Sequence, residues 1–383
     1  MTFKKYLSVI FLFVLFIPFI DKVFNISDTV FKYKNNEKRT LGKMPDVDIN
    51  YLDGFPKLYE QYVNDHFMLR SFLIDQYNNM CVKLFKQSPV PNKAYIGIDD
   101  WLYLNNYEYN ISHKVELSEQ QLKNFVEELK RRRDFLKQQN CSLYVYIVPP
   151  KIKVYPEYGG RRVPNEPDQG ASLEAYAKKN SDLPITYLLP TFLNKKKEGT
   201  PLLYYKTDNH WSNYGGFIAY AKIVADLKKD FPMLKSLTFN DLLVKDDTAD
   251  GGNTAQMMGV ESYFKEYHHR LEVKKRQSTE VERKGYSFVG DFDKNEFEKQ
   301  YNHENKALPS VLFIRDSFGG ALIPYLSESF SHSTFIFDVW RYQSNEEIIL
   351  SEKPSAVVYI IYEPLLLNLL DHSKKALIKN HRR

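Results

Sequence analysis

The sequence predicts an α/β domain: a parallel sheet with helices on both faces. One sign is "CSLYVYIVPP" (141–150), a short apolar, β-rich run that follows an amphipathic stretch and is stopped by two prolines. A second is the C-terminal part, where "PSVLFIRD" (309–316), "STFIFDV" (333–339) and "PSAVVYIIY" (354–362) alternate with the helical stretches "SFGGALIPYLSESF" (317–330) and "SNEEIILSEK" (344–353). A strand wetted on one face alternates in polarity. These runs are apolar throughout, so both faces need cover, as crossover helices provide in a parallel sheet.

At the start of the chain, Lys4 and Lys5 precede the run Tyr6–Ile20, the layout of an export signal. Its fifteen residues reach only ~22 Å along a helix, against a hydrocarbon core of ~30 Å. The following "FIDKVFNIS" nevertheless offers bulky side chains where a signal peptidase needs small ones, and Lys5 and Lys22 can lengthen the span by snorkelling. Residues 1–26 are therefore expected to be one uncleaved membrane anchor helix, with the body of the protein outside the cytoplasm. Residues 27–90 are expected to form a tether and a packing helix. The stretch 27–50 is polar and aperiodic. In "FPKLYEQYVNDHFMLRSFLIDQYNNMCVKLF" (55–85), Leu58, Tyr62, Phe67, Leu69 and Phe72 recur at mostly helical spacing. Asp65, His66 and Arg70 on that segment fit a solvated or capping face.

Residues 91–372 form the main domain. Within it, "LSEQQLKNFVEELKRRRDFLKQQN" (117–140) carries a capping box, Ser118 with Gln121, and a hydrophobic staple, Leu117 with Leu122. Leu122, Phe125, Val126, Leu129 and Leu136 then share one face. A further helix begins near Asn213. Residues 235–307 are irregular and highly charged, and read as an insertion whose hairpin-like segments hang over one edge of the sheet. The net charge of +5 is small for 383 residues, and no Lys/Arg block is interleaved with aromatics, which argues against a nucleic-acid partner. Cys81 and Cys141 allow one disulfide or none, and they lack the paired spacing of a zinc site.

In open parallel sheets reactive groups gather at the carboxyl ends of the strands. Ser317 lies there, between an apolar strand and a glycine-containing turn, where backbone N–H groups would stabilise an oxyanion. Alone, such a serine is more often a plain N-cap. The stretch "TDNHW" (207–211) changes the balance. A serine hydroxyl needs a base, usually His, and that His needs an acceptor to fix its tautomer. Asp208 and His210, two apart, project to the same side of an extended backbone. Trp211 then points the other way, as a core anchor. Two rival readings stay open: Asp208 as the cap of the helix beginning near Asn213, and Asp208 and His210 as metal ligands. A metal needs further ligands, and the His268–His269 pair lies in the irregular insertion, so no metal is expected.

"TDNHWSNYGG", followed about a hundred residues later by an apolar strand ending "RDSFGG", resembles the AlgX/AlgJ-type alginate O-acetyltransferases. The blocks "NEKRTLGKMPD", "FPKLYEQYVNDHFMLRSFLI", "YIVPPKIKVYPE" and "EKPSAVVYIIYEPLL" extend that resemblance over most of residues 37–370. It implies an SGNH hydrolase-like (flavodoxin-like) fold and a catalytic triad falling on Asp208, His210 and Ser317, with the base upstream of the nucleophile. It further implies O-acetylation of an exported polysaccharide in the periplasm or outside the cell. The anchor would sit in the inner (cytoplasmic) membrane, and a membrane-bound O-acyltransferase would supply the acetyl group. An acetyl donor is required, but no cofactor is implied. Two departures stand out. Arg315 replaces the Gly of the "GDS" esterase motif, and either faces an anionic sugar or pairs with a carboxylate at the strand end. The other is length: the 383 residues are expected to follow the AlgJ-like layout of one anchor and one catalytic domain rather than the AlgX-like one with an appended carbohydrate-binding domain. Lys151 in "VPPK", and Arg341 and Tyr342 in "WRYQ", follow strands and are candidates to line a substrate groove, or else are surface residues at loop starts. An acetyl esterase with the same triad and a non-catalytic polysaccharide-binding scaffold remain as alternatives.

Overall fold

The computed structural model describes residues 41–47, 49–66, 70–105, 116–160, 168–199, 201–282, 297–339, 341–343 and 346–370, together with parts of 5–24. The chain divides into two compact units, residues 1–89 and 90–383.

The first unit contains helices α1 (Phe55–His66) and α2 (Arg70–Phe85). Asp65 Oδ2 accepts the Gly42 N–H at 2.7 Å, so this carboxylate caps a backbone donor. Leu58, one of the apolar residues at helical spacing, is 46% exposed. Phe67 and Leu69 lie outside the described residues, as do most of the expected anchor and tether. Among the described residues no helix is long and apolar enough to cross a membrane.

In the second unit, a short hairpin of β1 (Ala94–Ile96) and β2 (Leu102–Leu104) precedes α3 (Glu119–Gln138). That helix starts as the capping box requires: Ser118 accepts the Gln121 N–H and Gln121 accepts the Ser118 N–H. There follow β3 (Ser142–Val148), α4 (Gln169–Asn180), β4 (Ile185–Tyr187), α5 (Leu189–Lys197) and α6 (Asn213–Leu227). The insertion holds β5 (Leu242–Asp250), α7 (Asn253–Met258), β6 (Lys265–Val273), β7 (Ser278–Val281) and β8 (Lys299–His303). The chain then runs through β9 (Ser310–Arg315), β10 (His332–Phe337), α8 (Glu346–Glu352) and β11 (Ala356–Tyr362).

Among the described residues, seven strands form one sheet in the order β4-β3-β11-β9-β10-β8-β7. The first five are mutually parallel. β8 and β7 join antiparallel at the β10 edge, so the sheet is mixed where a wholly parallel one was expected. Part of the insertion thus extends the sheet instead of hanging over it. The remainder, β5 and β6, pairs as a separate antiparallel ribbon. Polar strands such as "KQYNH" are tolerated near an edge because less of their surface needs apolar cover.

The core divides by strand parity, as a pleat covered on both faces requires. Leu143, Val145 and Ile147 of β3, with Val357, Tyr359 and Ile361 of β11, pack under α3, α4 and α8. Tyr144, Tyr146 and Val148, with Val358 and Ile360, face α5 and α6. Burying each such large apolar side chain is worth roughly 1.5–3 kcal/mol. The helix expected over 317–330 is instead a 3-10 turn, Ser317–Leu322, followed by the single α-turn Ile323–Leu326. Pro324 sits in the first turn of that short helix, where its missing N–H costs nothing.

Candidate active site

The carboxyl ends of the adjacent strands β3, β11 and β9 point to one rim of the sheet, with Lys151, Glu363 and Ser317 just beyond them. The stretch carrying Asp208 and His210 leaves α5 and folds back on itself through an isolated bridge between Tyr204 and Trp211. Ser212 caps α6 by accepting the Gly215 N–H. These restraints bring the Asp208–His210 pair to a serine 107 positions beyond His210: His210 Nδ1 lies 2.7 Å from Asp208 Oδ1, and His210 Nε2 lies 2.8 Å from Ser317 Oγ. Ser317 is exposed, while Asp208 and His210 are half-buried.

Asp208 is held on both oxygens. Oδ1 also accepts the His210 N–H at 2.9 Å, and Oδ2 accepts the Asn253 N–H at 2.9 Å from the start of α7. Burial pushes its pKa up, but the hydrogen bond and charge of His210, with the two backbone N–H groups, outweigh this and hold it well below the usual carboxylate range. Asp208 is therefore an ionised acceptor that fixes the imidazole and does not compete for its proton. The close approach of α7 depends on Gly252: a Cβ there would lie 2.6 Å from Asp208 Cβ and 2.8 Å from Oδ2. Asp208 does not cap α6, since Ser212 does.

On the Ser317 side, buried Asp316 anchors the turn. Its Oδ1 accepts the Phe318 N–H at 2.9 Å, and its Oδ2 accepts the Tyr362 N–H at 2.6 Å and the Tyr342 hydroxyl at 2.7 Å. The Phe318 N–H is thus committed to Asp316 and is not one of the expected oxyanion donors. The Phe318 ring lies 4.8 Å from the His210 ring and stacks on Tyr362 at 4.6 Å, forming an apolar floor under the imidazole. Trp211 packs edge-on against Phe318 at 5.2 Å and is buried, the core-anchoring role expected of it.

The three residues expected to line a groove, Lys151, Arg341 and Tyr342, and Arg315 with them, are all buried. Lys151 Nζ turns inward and donates to the carbonyls of Tyr205, Lys206 and Asp208 at 3.1, 3.0 and 2.8 Å. Burial lowers its pKa to about 7, against the opposing pull of Asp208 and Glu266. Arg315 does not face solvent: it donates to the Asp316 carbonyl at 3.0 Å and to the Phe297 carbonyl, and lies over the Phe337 ring. Burial lowers its pKa to about 10. Its side chain fills the space beneath the turn, where a Cβ on Gly319 would come within 2.5 Å of Arg315 Cδ. Arg341 is engaged with Gln343, whose carboxamide oxygen can accept from Nε at 3.2 Å and Nη1 at 2.7 Å. Tyr342, in the left-handed region at φ 46°, turns its hydroxyl onto Asp316. For Lys151, Arg315 and Tyr342 a main-chain or carboxylate acceptor captured the long side chain, because leaving such an acceptor unpaired is costly.

The residue that sequence reasoning missed is Glu266, on β6. Its carboxylate accepts the N–H groups of Lys206 and Thr207 at 3.1 and 2.6 Å, and the Thr207 hydroxyl. No local pattern marks it, since its partners are about sixty positions away. Among the described residues no group of three or more His, Cys, Asp or Glu is arranged to hold a metal ion. His269 pairs with Asp246 at 2.6 Å, and His268 packs its ring on Tyr205. Cys81 and Cys141 are free thiols.

The family described as "SGNH hydrolase-like domain, acetyltransferase AlgX" matches residues 94–297. A curated relative, "Probable alginate O-acetylase AlgJ" of Pseudomonas fluorescens, is 28% identical over 189 residues, 48% of this chain and 46% of that protein. The chain thus spans about half the length of the curated relative it matches. Among solved structures, Bacillus cereus PatB1 superposes with a TM-score of 0.53 at 17% identity, over 71% of this chain and 96% of that one, a likeness of fold. The O-acetyltransferase domain of Pseudomonas putida AlgJ gives a TM-score of 0.48 at 18% identity, over 76% and 99%. With the match covering more than half of the sequence and the mixed α/β sheet beneath it, the chain belongs to the AlgX family of SGNH hydrolase-like acetyltransferase domains.

Proposed function

We propose that the protein is a membrane-anchored O-acetyltransferase acting outside the cytoplasm on hydroxyls of an exported polysaccharide. The observation that carries this reading is the continuous chain of contacts from the Asp208 carboxylate through His210 to an exposed Ser317 hydroxyl. In the first half-reaction, Ser317 Oγ attacks the acetyl carbonyl, and His210 Nε2 takes the hydroxyl proton and passes it to the leaving group. The product is an acetyl ester on Ser317. In the second, a sugar hydroxyl attacks that ester, His210 takes its proton, and the proton returns to Ser317 Oγ as the ester bond breaks. Asp208 stays ionised and holds the imidazole as charge develops on it. The Ser317 N–H, at the mouth of the turn, is the remaining candidate oxyanion donor now that the Phe318 N–H is committed.

No cofactor enters this scheme. The acetyl donor is a membrane-bound O-acyltransferase partner, the anchor is residues 1–26, and the location is the outer side of the cytoplasmic membrane. The test is incubation of the purified protein with an acetyl donor, with and without oligosaccharide, followed by mass spectrometry. Acetyl transfer to sugar supports the reading, and acetyl release without transfer overturns it. The exposure of Ser317 favours acetyl esterase as the second reading, because water reaches the same ester whenever no sugar excludes it.

A further inference from the structure

We propose that Lys151 and Glu266 are a matched pair of positioning residues that set the Asp208–His210 arm. This rests on the reading of His210 as the base. The arm is half-buried and neither helix nor strand, and backbone partners serve only some of its peptide groups: the Tyr205 N–H donates to the His210 carbonyl at 3.3 Å and the Ala255 N–H to the Thr207 carbonyl at 3.1 Å. Its carbonyls at 205, 206 and 208 converge on one ammonium, whose three donors they saturate. Its N–H groups at 206 and 207 converge on one carboxylate. Lys206 is therefore gripped from both sides, its N–H by Glu266 and its C=O by Lys151, and Leu102 N–H also donates to that C=O at 2.9 Å.

Rotation of the peptide planes just before Asp208 would break bonds to both charges at once. The two side chains come from unrelated elements, the end of β3 and the ribbon strand β6, so the arm is referenced to the sheet and to the insertion together. Both are buried, at 4% and 3% exposure. Two interior charges are a costly way to satisfy backbone groups that an ordered water could serve, so their use here points to a need for fixed direction. The rings of Trp101 and Tyr103, 5.5 and 4.9 Å from Nζ, close the remaining side of the ammonium.

The test uses the full-length protein and two readouts of the arm itself. One is the low-field imidazole N–H proton resonance of His210. The other is the rate at which phenylmethylsulfonyl fluoride labels Ser317, followed by mass and resolved into reagent binding and bond formation. In Lys151→Met and Glu266→Gln, with native near-ultraviolet circular dichroism, the bond-forming rate is expected to fall roughly ten- to hundredfold with reagent binding unchanged, and the resonance to shift or vanish. The double variant restores the charge balance and is expected to stay as slow as the singles. Should Lys151→Met not fold, Glu266→Gln, which keeps the side-chain volume, carries the same test. A folded variant with wild-type labelling and resonance overturns the inference, as does a double variant restored to wild-type rate. Neither readout uses an acetyl donor or a sugar, so the outcome is separate from where the acyl group ends.

Discussion

The Tyr342 hydroxyl donates to Asp316 Oδ2 at 2.7 Å, tying the segment after β10 to the residue that precedes Ser317. Both groups are buried, so removing the donor leaves the carboxylate with the Tyr362 and Phe318 N–H groups alone. Tyr342→Phe is expected to destabilise the protein by about 1.5–3 kcal/mol, measured as the shift of a urea unfolding curve.

Ser317 is exposed and its hydroxyl bonds to His210. Ser317→Ala is expected to change the unfolding free energy by less than about 0.5 kcal/mol. Acetyl transfer should fall by about four orders of magnitude. Mass spectrometry of the protein after exposure to donor checks the cause: the acetyl adduct should be absent.

Asp208 gives a pH signature. Its folded pKa lies below the value of 3.8 that it has when unperturbed, so as the pH falls the unfolded chain takes up the proton first. The stability contributed by the ionised form is fully present above 3.8 and is lost as the pH falls through the folded pKa. Asn does not titrate. The stability difference between wild type and Asp208→Asn should therefore shrink as the pH falls below about 5. Turnover of the variant should drop by about 10⁴-fold at neutral pH, where the imidazole loses its anionic partner.

Gly252→Ala tests the approach of α7. The added Cβ meets Asp208 Cβ at 2.6 Å, an atom fixed to the backbone that has little freedom to give way. A destabilisation of about 1–3 kcal/mol is expected. A fall of about 10²-fold in kcat/KM should accompany it as Asp208 is displaced. Urea titration and steady-state kinetics separate the two effects.

The strands legible in the sequence were those with an unbroken apolar run: β3, β9, β10 and β11 stand near where "LYVYIV", "VLFI", "FIF" and "AVVYIIY" place them. β4, three residues long, and the polar β7 and β8 give no periodic signal, because short or edge strands take their stability from neighbours. The Asp208–His210 spacing and the strand-end serine were readable because each is local. The fate of Lys151, Arg315, Arg341 and Tyr342 was not. Lys151 and Tyr342 turn to acceptors 54 or more and 26 positions away, which no local pattern marks, and Arg315 and Arg341 turn to acceptors next to them whose direction depends on how the turn folds.

The packing of Arg315 against Gly319 has a consequence for how such chains diverge. With a guanidinium stem filling the space under the turn, position 319 has no room for a methyl group. A homologue with glycine at the first position would leave that volume vacant for a side chain at the second. Positions 315 and 319 are thus expected to co-vary, each variant pairing one bulky residue with one small one.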